Sequence, residues 1–133
     1  MAIDYGLKRS GVSVTDPLQI VVNGLETQKT EDIMTFIESY VRKEVVDKIV
    51  VGYPFVEEAW GEKNFKIKLD EFILALRKKF PDMNIDLHDE RFSSFRAKEI
   101  IQQSGFKKKK RRDKGLLDKT SAVVILQEYL GHI

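Results

Sequence analysis

The chain has 133 residues, 42% of them hydrophobic and 33% charged, and a formal net charge of +2, the profile of one soluble globular domain over residues 1–133. With no cysteine and only His88 and His132, disulfides and cysteine-bound zinc are excluded, a histidine-rich centre or histidine-dependent triad is disfavoured, and any metal would have oxygen ligands. Neither a secretory signal nor a bilayer-length apolar run is present, so a cytoplasmic protein without membrane association is expected.

The first stretch, Ala2-Ile3-Asp4-Tyr5-Gly6-Leu7-Lys8-Arg9-Ser10-Gly11-Val12-Ser13-Val14, sets two short apolar runs around a glycine-bearing turn, the pattern of a β-hairpin. Asp4 lies inside the first run, where a buried carboxylate is costly unless it binds something; the plainer reading is a turn aspartate bonding nearby backbone. Thr15-Asp16-Pro17 signals a turn, and Gln19 to Leu25 reads as a third strand that completes an antiparallel meander. Thr30 is placed to cap a helix whose Ile33, Phe36, Ile37, Tyr40 and Val41 keep the 3.6-residue period.

Asp47 to Val51 is short and β-branched and follows a helix, as a parallel strand in a covered sheet does. Gly52 ends it and opens a loop with Glu57, Glu58, Trp60 and Gly61, at the strand end where α/β folds place ligands. Trp60 can stack on a base or pack on its own domain. Phe65, Leu69, Phe72, Ile73, Leu76 and Phe80 give a second helix, stopped by Pro81. Ile85 to His88 is the next strand, with Asp86, His88 and Glu90 opposite the face of Ile85 and Leu87. Ser93 or Ser94 caps a short helix that ends near Gly105.

Lys107 to Lys114 contains seven basic residues and one acid, a local charge of +6 that leaves −4 for the rest of the chain. Such a block is either a solvated loop or a contact for a polyanion. The last helix, from about Gly115 to Leu130, is apolar on most sides, as expected of a helix packed across a sheet, and carries Asp118 in its first turns. The order β-β-β-α-β-α-β-α-α predicts an α/β domain with a mixed five-stranded sheet, its first three strands antiparallel, flanked by helices.

Three acids stand where an acid needs a reason: Asp4 inside the first strand, Glu90 at the end of the last, and Asp118 at the start of the last helix. If the first strand is central, all three can converge at one end of the sheet. Two carboxylates about 4 Å apart repel by roughly 4 kcal/mol at an effective dielectric near 20, so such a group either protonates or holds cations. Oxygen-only ligands point to magnesium or manganese.

Four ordered stretches carry a family resemblance: Ile3-Asp4-Tyr5-Gly6-Leu7-Lys8-Arg9-Ser10-Gly11-Val12, Val50-Val51-Gly52-Tyr53-Pro54, Asp89-Glu90-Arg91-Phe92-Ser93-Ser94 and Leu117-Asp118-Lys119-Thr120-Ser121-Ala122. Together they resemble the YqgF family of RNase H-like proteins over nearly the whole chain. The resemblance implies an RNase H-like fold and a divalent-metal nuclease, either processing the 5′ end of pre-16S ribosomal RNA or resolving Holliday junctions. By position it implies an acidic triad of Asp4, Glu90 and Asp118, with Asp89 the alternative to Glu90. Two departures stand out: the loop Phe55-Val56-Glu57-Glu58-Ala59-Trp60-Gly61 lacks the Asn and Asp-Gly usual after Gly-x-Pro, and the chain begins almost at Asp4.

The expected chemistry is phosphodiester hydrolysis with two metal ions, Asp4 bridging and Glu90 and Asp118 each holding one. Lys8, Arg9 and Arg91 are candidates for holding neighbouring phosphates, Arg91 alternatively pairing with an acid. Lys107, Lys108, Lys109, Lys110, Arg111 and Arg112 are candidates for tracking a nucleic-acid backbone. The partner expected is structured RNA, with branched DNA as the alternative. His88 is read as structural. Two other classes compete: a non-catalytic nucleic-acid-binding factor, which metal titration separates from a nuclease, and a nucleotide-binding kinase or ATPase fragment, which would need a second domain.

Overall fold

The computed structural model describes residues 1–55, 63–90, 93–105 and 113–133. Strand β1 (Ala2–Asp4) turns into β2 (Arg9–Thr15), followed by β3 (Val22–Gly24), β4 (Gln28–Lys29) and a 3-10 turn (Thr30–Asp32) that runs into helix α1 (Ile33–Lys43). Then come β5 (Lys48–Tyr53), α2 (Lys63–Lys79), β6 (Asn84–Asp89), α3 (Ser93–Gln103) and α4 (Lys114–Tyr129). The sheet order is β3-β2-β1-β5-β6, with β4 pairing beside β2. β1 is antiparallel to β2 and parallel to β5, and β5 is parallel to β6. This is the mixed sheet that the alternation predicts, with β1 central and next to the Val50 strand.

The two faces of the sheet are filled differently. Ile3, Val12, Ile49, Val51 and Ile85 face Ile33 and Ile37 of α1 and Leu69, Phe72, Ile73 and Leu76 of α2. Ala2 and Val50 lie on the other face, under Ile125 and Leu126 of α4. Each such aliphatic side chain contributes about 1.5–3 kcal/mol by leaving water, which is why α4 stays on the sheet although few of its own sides are polar. Asp113 caps α4, its carboxylate accepting from Gly115 N and Leu116 N, a cap worth about 1 kcal/mol. No helix among the described residues is long and apolar enough to cross a membrane.

The structure corrects four details. The third strand is Val22–Gly24 instead of Gln19 to Leu25. Asp16 Oδ1 captures the amides of Ile20 and Val21 at 2.9 and 2.7 Å, and Gln19 takes φ 58°, so this stretch is a turn. A sixth strand, β4, is only two residues long and reads as a strand only once β2 is beside it. The strand predicted over Asp47 to Val51 runs from Lys48 to Tyr53, so Gly52 lies within it. Thr30 does not cap α1, which has no side-chain cap; its hydroxyl is used in the hairpin instead. The side chains of the expected caps Ser93 and Ser94, at the start of α3, and the loop residues Glu57, Glu58, Trp60 and Gly61 lie outside what is described of the structure.

Candidate active site

Alternation along β1 sends Asp4 to the same face as Ala2, the face under α4. In the hairpin register Asp4 stands opposite Gly11. A Cβ on Gly11 would lie 2.0 Å from the main-chain oxygen of Asp118. The absence of a side chain there is what lets α4 rest directly on β2 and brings Asp118 alongside Asp4. Gly52 makes the second clearance: a Cβ there would lie 2.8 Å from Glu90 Oε2 and 2.8 Å from Ile125 Cδ1. Glu90, the first residue past β6, is tied back to the sheet by its amide, which donates to Tyr53 O at 3.2 Å.

The hairpin turn that carries Asp4 is cross-braced. The Thr30 hydroxyl donates to Gly6 O at 2.6 Å and lies 2.8 Å from the hydroxyl of the buried Ser10, while Gly6 N donates to Ser10 Oγ at 3.4 Å. Tyr5 stacks on Phe72 of α2 with ring centroids 4.9 Å apart. The turn is therefore fixed from the 3-10 turn and from α2 before anything binds.

Burial pushes the Asp4 carboxyl well above the usual carboxylate range, and the neighbouring Glu90 and Asp118 charges push it further. Glu90 is also raised, first by burial, and its hydrogen bond with Asp4 partly offsets this. Burial and their mutual repulsion therefore favour a protonated carboxyl within this pair. Asp118 is raised by burial against the pull of Arg9, whose Nε donates to Asp118 Oδ2 at 3.2 Å. Among the described residues no group of three or more His, Cys, Asp or Glu side chains forms a ready metal cluster. The donor chemistry nevertheless fits a hard divalent cation: Asp4, Glu90 and Asp118 offer only carboxylate oxygens.

Of the residues singled out from the sequence, the structure brings Asp4, Glu90, Asp118 and Arg9 to one end of the sheet. Arg9, expected on a phosphate, is found on Asp118. Lys8 is exposed on the turn, its carbonyl accepting from Thr30 N. Asp89, the alternative to Glu90, is the last residue of β6 and pairs with Tyr53 across the ladder. Arg91, Lys107, Lys108, Lys109, Lys110, Arg111 and Arg112 lie outside the described residues. His88 stands edge-on to Tyr129 with ring centroids 6.1 Å apart. Sequence reasoning missed the roles of Gly11 and Gly52; a glycine inside a strand was the signal available, since it often marks a close backbone approach.

A family model described as "RuvX: Holliday junction resolvase" matches residues 1–132, a family with the RNase H-like fold expected from the sequence. Three similar proteins are named "Putative pre-16S rRNA nuclease". The one from Amoebophilus asiaticus is 50% identical over 133 residues, covering 98% of this chain and 92% of that protein. The one from Phocaeicola vulgatus is 46% identical over 130 residues, covering 98% and 93%, and that from Bacteroides thetaiotaomicron is 42% identical over 130 residues, covering 98% and 94%. Matched over nearly its whole length, the chain belongs to the RuvX family, the YqgF family that its four motifs resemble.

Proposed function

We propose that the chain is a nuclease that hydrolyses phosphodiester bonds with magnesium or manganese, acting on the 5′ end of pre-16S ribosomal RNA. The observation that carries this reading is the placement of Asp4, opposite Gly11, beside Asp118 on α4 and near Glu90 past β6, an arrangement with a high cost unless positive charge enters. The names of the similar proteins direct it to precursor rRNA.

In this reading Asp4, Glu90 and Asp118 are the residues that would hold the divalent ions. The bound ions supply Lewis acidity at the scissile phosphate and make water a better nucleophile. Asp4 would have to be ionised to serve as a ligand, and Asp118 would have to part from Arg9. Arg9, once released, and Lys8 hold the phosphate next to the scissile one. Arg91 and Lys107 to Arg112 add positive charge along the nucleic-acid backbone.

A second reading, four-way DNA junction cleavage, is favoured by the description of the matching family. Both are tested by giving the wild-type chain and Asp4→Asn a precursor-rRNA 5′ end and a four-way junction, with manganese and with chelator. The nuclease reading expects manganese-dependent cleavage that Asp4→Asn loses while keeping its fold; equal cleavage by the variant overturns it. Cleavage of RNA alone supports the first substrate, and paired symmetrical cuts in the junction by a dimer support the second.

A further inference from the structure

Phe36, Phe65, Phe72 and Phe80 pack on the α1 and α2 side of the sheet. Phe55 and Phe95 do not: they are 55% and 64% exposed. Both follow the carboxyl ends of the parallel strands that flank the acids, Phe55 just past β5 and Phe95 in the first turn of α3, shortly after Glu90. Exposed single apolar residues are ordinary on protein surfaces, so position is what distinguishes these two. Leu18, Ile20 and Val21 are also exposed, but they are aliphatic and sit in the β2–β3 turn, at the opposite end of β2 from the hairpin that carries Asp4.

Phe55 is supported from behind. Its ring centroid lies 5.0 Å from that of Tyr53 at an interplanar angle of 56°. The Tyr53 hydroxyl donates to Asp70 Oδ1 at 2.7 Å, Lys66 Nζ lies 5.4 Å from the Tyr53 ring centre, and the intervening Pro54 is fully buried. Tyr53 O is also the acceptor for the Glu90 amide. A flat, solvent-facing ring is thus held on the same strand end that positions an acid.

We propose that Phe55 and Phe95 stack on unpaired bases, so that the strand presented to the acids is single-stranded or opened next to the scissile bond. This rests on the nuclease reading above and narrows its substrate. A stacking platform takes any base, because every base has a flat face. A continuous duplex keeps those faces against one another and offers mainly its backbone. An opened strand leaves its bases free to lie on the two rings.

The test is fluorescence anisotropy with the full chain in chelator, using a fluorescein-labelled hairpin with a 5′ single-stranded extension and the same hairpin cut blunt, each in RNA and DNA form. Phe55→Ala and Phe95→Ala are each expected to weaken binding of the extended hairpin by roughly 5- to 100-fold and to leave the blunt one nearly unchanged. Phe55→Tyr should restore binding, whereas Phe55→Leu, which keeps apolar bulk without a flat face, should not. Abasic sites placed one at a time in the extension should weaken the wild type at a particular position, and that penalty should vanish in the matching alanine variant. Equal binding of both hairpins by the alanine variants and the wild type, or abasic penalties that persist in the variants, overturns the proposal. So does a change of oligomeric state on Phe→Ala with nucleic-acid binding intact, which would assign the rings to self-association. Wild-type cleavage that ignores both rings overturns this inference alone; a wild type that neither binds nor cleaves overturns the nuclease reading with it.

Discussion

Arg9 Nε stands 3.2 Å from Asp118 Oδ2, joining the first turn of the chain to its last helix. The side chains are 40% and 24% exposed, so solvent screens the pair and it contributes less than about 1 kcal/mol to stability. Its importance lies in what it occupies: the third acid of the proposed triad is held by a protein cation. Arg9→Ala is expected to shift stability by under about 1 kcal/mol and to tighten manganese binding without nucleic acid by up to about fivefold. Nucleic-acid affinity should fall in the same variant. Calorimetric titration with manganese checks it; weaker metal binding would mean that Arg9 orders Asp118 instead of competing for it.

The raised values of Asp4 and Glu90 set a direction for stability against pH. Their unfolded forms ionise near the ordinary values of 3.8 and 4.5, while the folded pair retains protons. Between those values and the raised ones the native state binds more protons, so this contribution to stability falls as pH rises. The buried Met1 amine, lowered from 8.0 to about 6, acts oppositely between those two values, favouring the fold as pH rises. Comparing wild type with Asp4→Asn cancels the amine. In chelator the variant should melt higher than wild type at pH 8, with the gap closing toward pH 4. Adding magnesium at pH 8 should raise the wild-type melting temperature more than that of the variant. A pH-independent gap in a thermal scan would contradict the raised carboxyls of Asp4 and Glu90.

Gly11 and Gly52 separate stability from activity. In Gly11→Ala the new Cβ meets main-chain atoms of α4, Asp118 O at 2.0 Å and Asp118 C at 2.5 Å. The helix must move away, with an expected loss of about 1–3 kcal/mol or more. At Gly52 the obstacles are side-chain ends, Glu90 Oε2 and Ile125 Cδ1, which can rotate. Gly52→Ala should therefore lose cleavage through a displaced Glu90 with less destabilisation than Gly11→Ala. Denaturant melts set beside turnover assays decide; the reverse ranking would mean that α4 is not seated on β2.

Salt dependence tests the basic run. Replacing Lys107, Lys108, Lys109, Lys110, Arg111 and Arg112 by glutamine is expected to flatten the slope of log affinity against log salt by roughly 4 to 5, as for six lost phosphate contacts. Affinities measured across a salt series provide the check, and an unchanged slope would make the run a solvated segment.

The sequence was most legible where the signal is local. The apolar period of Leu69, Phe72, Ile73 and Leu76 and the alternation through Ile85 and Leu87 declare helix and strand without a partner. Asp4 and Glu90 were readable because each interrupts or ends such a run. What escaped depended on residues far away. Thr30 has the composition of a helix cap, yet its hydroxyl reaches Gly6. The strand Gln28–Lys29 exists because β2 lies beside it, and nothing near Arg9 in sequence announces Asp118. The misplaced third strand is a different case: its apolar residues suit a strand, and the Asp16 side chain turns them into a loop.

Helix α4 closes one side of the sheet and is the last described element in chain order. A ribosome that has just passed β6 by one residue has produced Asp4 and Glu90, but neither the covering over Ala2 and Val50 nor the third acid. If the proposed triad is the cutting apparatus, a half-finished copy cannot cut.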